Sequence, residues 1–285
     1  MGIEVVKVHP QDFEKVYLLL QGFRNASRLI KKDWQNQFSF PFGNIENYCG
    51  YMLLSDNEPV GFLGLIFSQR QIHGKQEKFC DLAAWIVKDE FRSNSLALIF
   101  PLLREKNLTI TTFTASNRVV AVLKKLGFKD VETQLQFLLP VPSFHKAPKA
   151  VFDLEQISVL LTDESANIFR DHKHLNCWHV TLETPEGICY IMLNRSVKKR
   201  LPVAYVDYIS DRSLFEKYIR QVIVSICRHF HVIALVAGDH FGIKRIPFSI
   251  ATQRNHPILY RSGTVNPEDI DLVYSEIQVL GLLPT

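Results

Sequence analysis

The chain has 285 residues, 47% hydrophobic and 22% charged, which excludes a disordered polypeptide and supplies more core than one average domain needs. Thirty-three basic against 29 acidic residues give a formal net charge of +4, enough to admit an anionic ligand but too little for a nucleic-acid surface.

A strand over Ile3–Val8 leads through Pro10, Gln11 and Asp12, a turn and cap, into the stripe Phe13, Val16, Tyr17 and Leu20 of one helix face. A polar helical stretch around 24–37 follows. Runs 48–54 and 60–67 flank Ser55-Asp56-Asn57-Glu58-Pro59 and read as a hairpin. Residues 78–87 read as a third strand of that sheet. Its alternation would set Asp81, Ala83, Trp85 and Val87 on one face and Leu82, Ala84 and Ile86 on the other. The polar loop after Val87 enters a helix expected over 95–106, then a strand over 108–113, a helix over Asn117–Lys125 and a strand over 129–139.

The proline-rich segment 140–148 has neither periodicity and is expected to link two units, 1–144 and 145–285. In the second unit, runs 178–182 and 188–194 form a hairpin around Thr184-Pro185-Glu186-Gly187. A strand over 203–208 follows, then a helix with Phe215, Ile219, Val222, Ile223 and Ile226 on one side, then a strand over 232–236. Hairpin, strand, helix and strand repeat the middle of the first unit.

Cys49, Cys80, Cys177, Cys189 and Cys227 are odd in number, scattered and mostly set in apolar runs, so they read as reduced core thiols. Residues 1–20 show no basic segment followed by an apolar one, and no apolar run approaches 18 residues. A cytoplasmic address with no membrane partner is expected.

Arg92, Ser95 and Ala97 stand at the spacing Arg or Gln, two residues, Gly, one residue, Gly or Ala. This resembles the acyl-CoA-binding loop of the GNAT (GCN5-related) N-acyltransferases, with serine replacing the first small residue. A second motif of that family, Asn, two residues, Ala, two residues, Tyr, three residues, Gly-Phe, has its counterpart in Asn117, Val120, Leu123, Gly127 and Phe128. The element order over about 1–140 is similar to the whole GNAT fold. The resemblance therefore implies an α/β fold on a mixed sheet, in two tandem GNAT-like halves, the second diverged and shaping the acceptor site. The second half lacks a phosphate loop, since Ile209-Ser210-Asp211-Arg212-Ser213 enters its helix without glycine.

The resemblance further implies an acyl-CoA co-substrate, acetyl-CoA foremost, and no metal. Its diphosphate would lie on free amides at a helix N-terminus, with Arg92, Ser93, Asn94, Ser95, Leu96 and Ala97. Its pantetheine arm would run along the main chain of Trp85, Ile86 and Val87, with Asn117 near the thioester. Asp81 takes the place of the family's usual glutamate base, where partial withdrawal from water would raise its pKa and let it accept a proton. Plainer readings stand beside these: Ser93, Asn94 and Ser95, or Asn117, as helix caps, and Asp81 as a solvated or salt-bridged acid. Leu123 replaces the family's general-acid tyrosine, so the leaving thiolate must be protonated from elsewhere or by solvent.

The implied reaction is transfer of an acyl group to an amine of a small metabolite or amino sugar. A catalytically degenerate acyl-CoA-binding or scaffolding protein is the alternative, prompted by Ser95 and Leu123. Transfer from aminoacyl-tRNA, as in the tandem cell-wall peptide-bridge transferases, is disfavoured by the modest charge. His172, His174, Cys177 and His179 crowd into eight residues without a zinc spacing, which suggests a solvated loop or the lining of an acceptor cleft. The basic run 195–200 reads as a solvated hairpin tip or a site for an acidic glycan or phosphate. Residues 238–242 read as a turn-rich loop.

Overall fold

The structure, a computed structural model, describes residues 2–23, 29–43, 45–142, 147–243 and 248–282. Residues 24–28 of the expected helical stretch and 143–146 of the expected linker, with the boundary between units, lie outside the described residues.

The first half runs β1 (Ile3–Val8), α1 (Phe13–Leu20), α2 (Lys31–Phe38), β2 (Gly50–Ser55), β3 (Glu58–Ile72) and β4 (Lys75–Val87). A 3-10 segment (Asp89–Leu98), α3 (Phe100–Leu103), β5 (Leu108–Thr112), α4 (Asn117–Lys125) and β6 (Lys129–Leu138) complete it. The second half repeats the order with β7 (Lys149–Val151), α5 (Leu154–Leu160), α6 (Asp163–His172), β8 (Trp178–Thr184), β9 (Gly187–Lys198) and β10 (Leu201–Ile209). It continues through α7 (Arg212–Lys217), α8 (Ile219–Phe230), β11 (Leu235–Gly238) and β12 (Ser249–Arg261), then a tail that carries α9 (Glu276–Val279).

All twelve strands form one sheet in the order β1-β2-β3-β4-β5-β12-β6-β11-β10-β9-β8-β7. The order is a palindrome if each strand of one half is matched with its counterpart in the other. The two final strands are exchanged: β12 pairs with β5 and β6, while β6 pairs with β12 and β11. Only β4 with β5 and β10 with β11 run parallel. This is the tandem arrangement of a mixed α/β fold that the element order suggested, with the halves joined through traded strands.

Three hairpins turn on two residues of positive φ, Asp56-Asn57, His73-Gly74 and Lys199-Arg200, the geometry that matches the twist of paired strands. The basic run at 195–200 is thus a hairpin tip. Apolar helix faces close both sides of the sheet. Leu214, Phe215, Val222, Ile223 and Ile226 of α7 and α8 pack on β8–β11, and the helical stretch is broken at Tyr218, not continuous as its periodicity suggested. The tail penetrates the molecule, with residues 270–280 all buried.

Three expectations need correction. The helix expected over 95–106 is instead 3-10 winding to Leu98 and the four residues of α3. Pro101 explains this, because it has no N–H for the Ala97 carbonyl and its ring would clash there, so it is tolerated only in the first turn of a new helix. The alternation of β4 is also interrupted. Leu65 pairs with Leu82 but Leu63 with Trp85, so β4 carries one extra residue at Ala83 and Ala84, a β-bulge. Trp85 and Val87 consequently share a face with Leu82, while Ala84 and Ile86 pack on the other side with Ala83. Last, the cap of α4 is Ser116, and Asn117 is its first helical residue.

Candidate functional site

β4 pairs with β5 only from Lys78 to Asp81, opposite Leu108 to Thr111, and then runs on to Val87 while β5 pairs with β12. The parallel strands fork at Asp81 and Thr111. The bulge begins two residues later, where its local twist carries the strand away from its neighbour.

Asp81 is buried at this fork. Thr111 Oγ1 donates to its Oδ1 (3.1 Å) and the Glu276 amide to its Oδ2 (2.8 Å). Glu276, also buried, spans the fork: its Oε1 accepts from the Phe113 amide (3.2 Å) and from Thr114 Oγ1 (2.8 Å), and its carboxyl is hydrogen-bonded to that of Asp81. Burial first, and then the adjacent Glu276 carboxylate, push the Asp81 pKa well above the ordinary carboxylate range. A second carboxyl this close in a dry site disfavours the charged form of Asp81.

A cavity of about 10 Å³, lined by Asp81, Thr111, Phe113, Arg70, Asp271 and Tyr274, adjoins the pair and is sized for one water. Its wall holds a buried ion pair, Arg70 Nη2 to Asp271 Oδ2 at 2.7 Å. Burial is the largest influence and works against the Arg70 charge, but the Asp271 carboxylate, its hydrogen bond and the nearby Tyr208 and Tyr274 together outweigh it and raise the guanidinium pKa. At Asp271 burial outweighs the arginine, and its pKa is raised. Arg70 and Tyr274 also line an open cleft of about 460 Å³ between the β3–β4 hairpin and α6, with Gln71, Gln76, Glu164 and Asp171 among its walls. The cleft and the small cavity therefore meet at Arg70 and Tyr274.

The second half has its own fork. β10 pairs with β11 only at Ala204 and Tyr205 and bulges at Asp207, whose counterpart in the ladder is missing between Leu193 and Met192. Here the tail lies against the strand, with the Leu272 amide donating to the Asp207 carbonyl (3.0 Å). Asp207 Oδ2 accepts from Gln278 Nε2 (3.3 Å) and from Asn194, and burial drives its pKa well up.

The other residues singled out by sequence are spread around the first fork. Trp85, Val87 and Ala97 join one apolar cluster with Phe91 and Val119, and Trp85 Nε1 is buried without a partner. Ile86 packs on the opposite side. Arg92 is exposed and paired with Asp89 (2.6 Å), which with Glu90 makes the start of the 3-10 segment acidic. Ser93 donates to the Asn94 side chain (3.3 Å), and Asn94, Ser95 and Leu96 are half-buried. Asn117 is exposed, outside the cluster at the fork. The amides from 95 onward do not open an α-helix, so the helix-terminus geometry expected for a diphosphate is absent from this segment.

The histidine cluster is only in part a solvated loop: His174 is exposed in the turn after α6, whereas His172 and His179 are buried. α6 is amphipathic and turns Ile168, Phe169 and His172 inward. His172 Nδ1 donates to the Ile168 carbonyl (2.7 Å), so Nε2 accepts from the Tyr274 amide (3.1 Å) and the ring helps dock the tail. Burial lowers its pKa to about 3 and that of His179 to about 4, leaving both neutral. Among the described residues no group of three or more His, Cys, Asp or Glu is arranged to hold a metal ion.

Glu276, Asp271, Gln278, Arg70 and Asp207 were not found by sequence. A usable signal was Ser275 followed three residues later by Gln278, a capping box that opens α9 inside an apolar run.

No family model matches the sequence, and no curated protein matches it. Solved structures do match the fold. A GCN5-related N-acetyltransferase from Anabaena variabilis superposes with a TM-score of 0.62 at 12% identity, covering 91% of this chain and 72% of that one. A GCN5-related N-acetyltransferase from Kribbella flavida gives 0.59 at 12% identity (92% and 71%), and Eis1 from Mycobacterium abscessus 0.56 at 10% (90% and 73%). The chain has the GNAT fold, in tandem form.

Proposed function

We propose that this protein is an acyl-CoA-dependent N-acyltransferase acting on an amine of a small metabolite or amino sugar. The observation that carries this reading is the fork: a bulged β4 parts from β5 at a buried carboxyl pair, and its edge from Leu82 to Val87 is left without β5 as a partner. Main-chain groups on such an edge suit the amides of a pantetheine arm, because an extended ligand can take the ladder positions that a strand would use. Trp85, Ile86 and Val87 would line that arm. Arg92, beside Ser93, Asn94, Ser95, Leu96 and Ala97, supplies a charge for the diphosphate once it leaves Asp89, an exposed partner that holds it weakly. Asn117 lies at the start of α4 on the same side of the sheet as the Trp85 cluster.

The acceptor would enter through the cleft between the halves. Amide side chains there pair with hydroxyls, and the carboxylates of Glu164 and Asp171 stand among the guanidinium groups of Arg70 and Arg170, a polar lining that supports a polar acceptor over an apolar one. Positioning of two reactants supplies most of the rate in such a transfer, so the missing tyrosine at Leu123 lowers the rate without removing the reaction. The five free cysteines agree with a cytoplasmic setting.

The test is release of free thiol from acetyl-CoA and longer acyl-CoAs across a panel of amino sugars, polyamines and amino acids, with mass spectrometry of the product. Acyl-CoA binding with no thiol release for any amine would replace this reading with that of a degenerate scaffold. Arg92→Glu is expected to weaken acyl-CoA binding at least tenfold through lost contact and added repulsion.

A further inference from the structure

One end of the second half carries charge of a single sign on a projecting hairpin. β8 stops at Trp178, opposite Leu193, so β9 runs on through 194–198 with no strand on its outer edge, and the β10 ladder to β11 begins only at Ala204. The turn at Lys199-Arg200 closes the tip. Arg195, Lys199 and Arg200 are exposed, and Lys198 is half-buried with its ammonium 5.8 Å from the Tyr205 ring centre. Among the described residues none of these four forms an ion pair. Neither 187–206 nor 218–238, the segments that build this end, contains an acidic residue.

The same tip exposes aliphatic side chains. Val197 is 55% exposed, Leu201 49%, and Ile233, whose amide donates to the Pro202 carbonyl (2.9 Å), 41%. Val197 stands opposite Pro202 on the face that α7 and α8 cover further along the strand, and Leu201 opposite Lys198 on the other face. A tip that only meets water is served by polar residues at both positions. Cations interleaved with aliphatics fit a layer of anionic headgroups over apolar chains, where the charges hold the headgroups and the aliphatics leave water. A single-stranded nucleic acid calls for exposed aromatic rings, and Tyr205, the ring at this tip, is buried.

We propose that the β9–β10 tip docks on an anionic lipid membrane, with Val197 and Leu201 entering the headgroup region and Arg195, Lys198, Lys199 and Arg200 set against lipid phosphates and carboxylates. Such surface binding requires no spanning segment, so the apolar-run argument against a membrane partner does not reach it. Nor does it depend on the acyltransferase reading, because no residue of the tip lines the cleft or the first fork.

The experiment measures cosedimentation of the full-length protein with vesicles of phosphatidylcholine alone or with about 30% phosphatidylserine, at about 0.1 and 0.5 M salt, with inorganic phosphate and a single-stranded RNA as competitors. Binding to the anionic vesicles alone is expected, at least about tenfold weaker at the higher salt and unaffected by inorganic phosphate at millimolar concentration. Each cation near the surface contributes about fivefold, so the combined variant Lys198→Glu, Lys199→Glu, Arg200→Glu should lose at least about a hundredfold. The pair Val197→Ser, Leu201→Ser, which alters no charge, should lose about tenfold. Thermal melts verify folding, and if the charge-reversed variant does not fold, the serine pair decides. Absence of binding to anionic vesicles at low salt overturns the proposal. Binding that a folded variant of either kind leaves at wild-type strength places the contact elsewhere and also overturns it. Displacement by the RNA with the serine pair inert makes the tip a nucleic-acid surface and overturns it as well.

Discussion

The tail is held by an ion pair that bridges 201 residues of sequence, Arg70 to Asp271, with only 6% and 7% of the side chains exposed. Removing one partner strands the other charge in a dry site, at a cost of about 3–5 kcal/mol. The two single substitutions should not cost the same. In Asp271→Leu the guanidinium loses its acceptor, cannot shed its proton and is left with its contact over the Phe79 ring, 5.4 Å away, so the full penalty of about 3–5 kcal/mol is expected. In Arg70→Met the carboxyl can take a proton, since burial already raises its pKa and the Val273 amide (3.3 Å) remains a donor, so about 2–3 kcal/mol is expected. The double change Arg70→Met, Asp271→Leu fills the site with apolar groups and should lie within about 1–2 kcal/mol of wild type. Equilibrium urea unfolding in a double-mutant cycle measures all four states. Additive losses, or Asp271→Leu costing under about 1 kcal/mol, would show that the pair does not anchor the tail.

Three further outcomes follow from the same structure. Asp81 and Asp207 have pKa values raised by burial, so the native state keeps protons that the unfolded chain releases, and stability falls as pH rises through that window. His172 and His179, lowered to about 3 and about 4, act in the opposite sense only below the ordinary histidine value near 6.5. Wherever Asp81 and Asp207 stay protonated in the native state, each should make the unfolding free energy decline with pH by at most about 1.4 kcal/mol per pH unit, and Asp207→Asn should flatten the wild-type slope; an unchanged slope would refute this assignment. A Cβ at Gly50 would lie 2.6 Å from the Leu63 carbonyl and 2.5 Å from the Phe62 ring, so Gly50→Ala should cost about 1–3 kcal/mol in a thermal melt, and a cost under about 0.5 would contradict the packing. Residues 1–144 expressed alone lack β12, the strand that joins β5 to β6, and should show no cooperative unfolding unless coexpressed with 145–285; a cooperative transition of 1–144 alone would mean the exchanged strand is dispensable.

Sequence reasoning went furthest where a local pattern and a packed surface agree. The hairpin around Asp56-Asn57, the amphipathic stripe of α1 and the helix at Asn117–Lys125 were legible because period and turn chemistry coincide there. The β4 bulge was not, since an extra residue in a strand changes pairing without changing composition. Nor was the break at Ile99, although Pro101 announced it. Elements 149–172 and 249–261 went unread because their apolar runs are short and interrupted by polar residues, most of them exposed. The site was half legible: Asp81 came from its place on a strand, whereas Glu276 lies 195 residues away and meets it only because the tail threads the core.

The forks are related by the palindrome of the sheet, yet the tail treats them differently. At the second fork its backbone is engaged, Leu272 N–H to Asp207 O, so the edge of β10 beyond Tyr205 is occupied by the chain itself. At the first fork the tail meets β4 through the Asp81 side chain, and among the described residues no main-chain hydrogen bond joins the tail to residues 82–87. An extended ligand needs free ladder groups, so the proposed acyl-CoA reading places the pantetheine arm at the first fork and not at the second. Calorimetric titration with acetyl-CoA should accordingly give one site per chain. Substituting Leu272→Pro removes the amide that closes the second fork, and if that fork is sealed only by the tail, weak second-site binding should emerge in the variant. Two equivalent sites in the wild-type protein would mean that the tail does not discriminate between the halves.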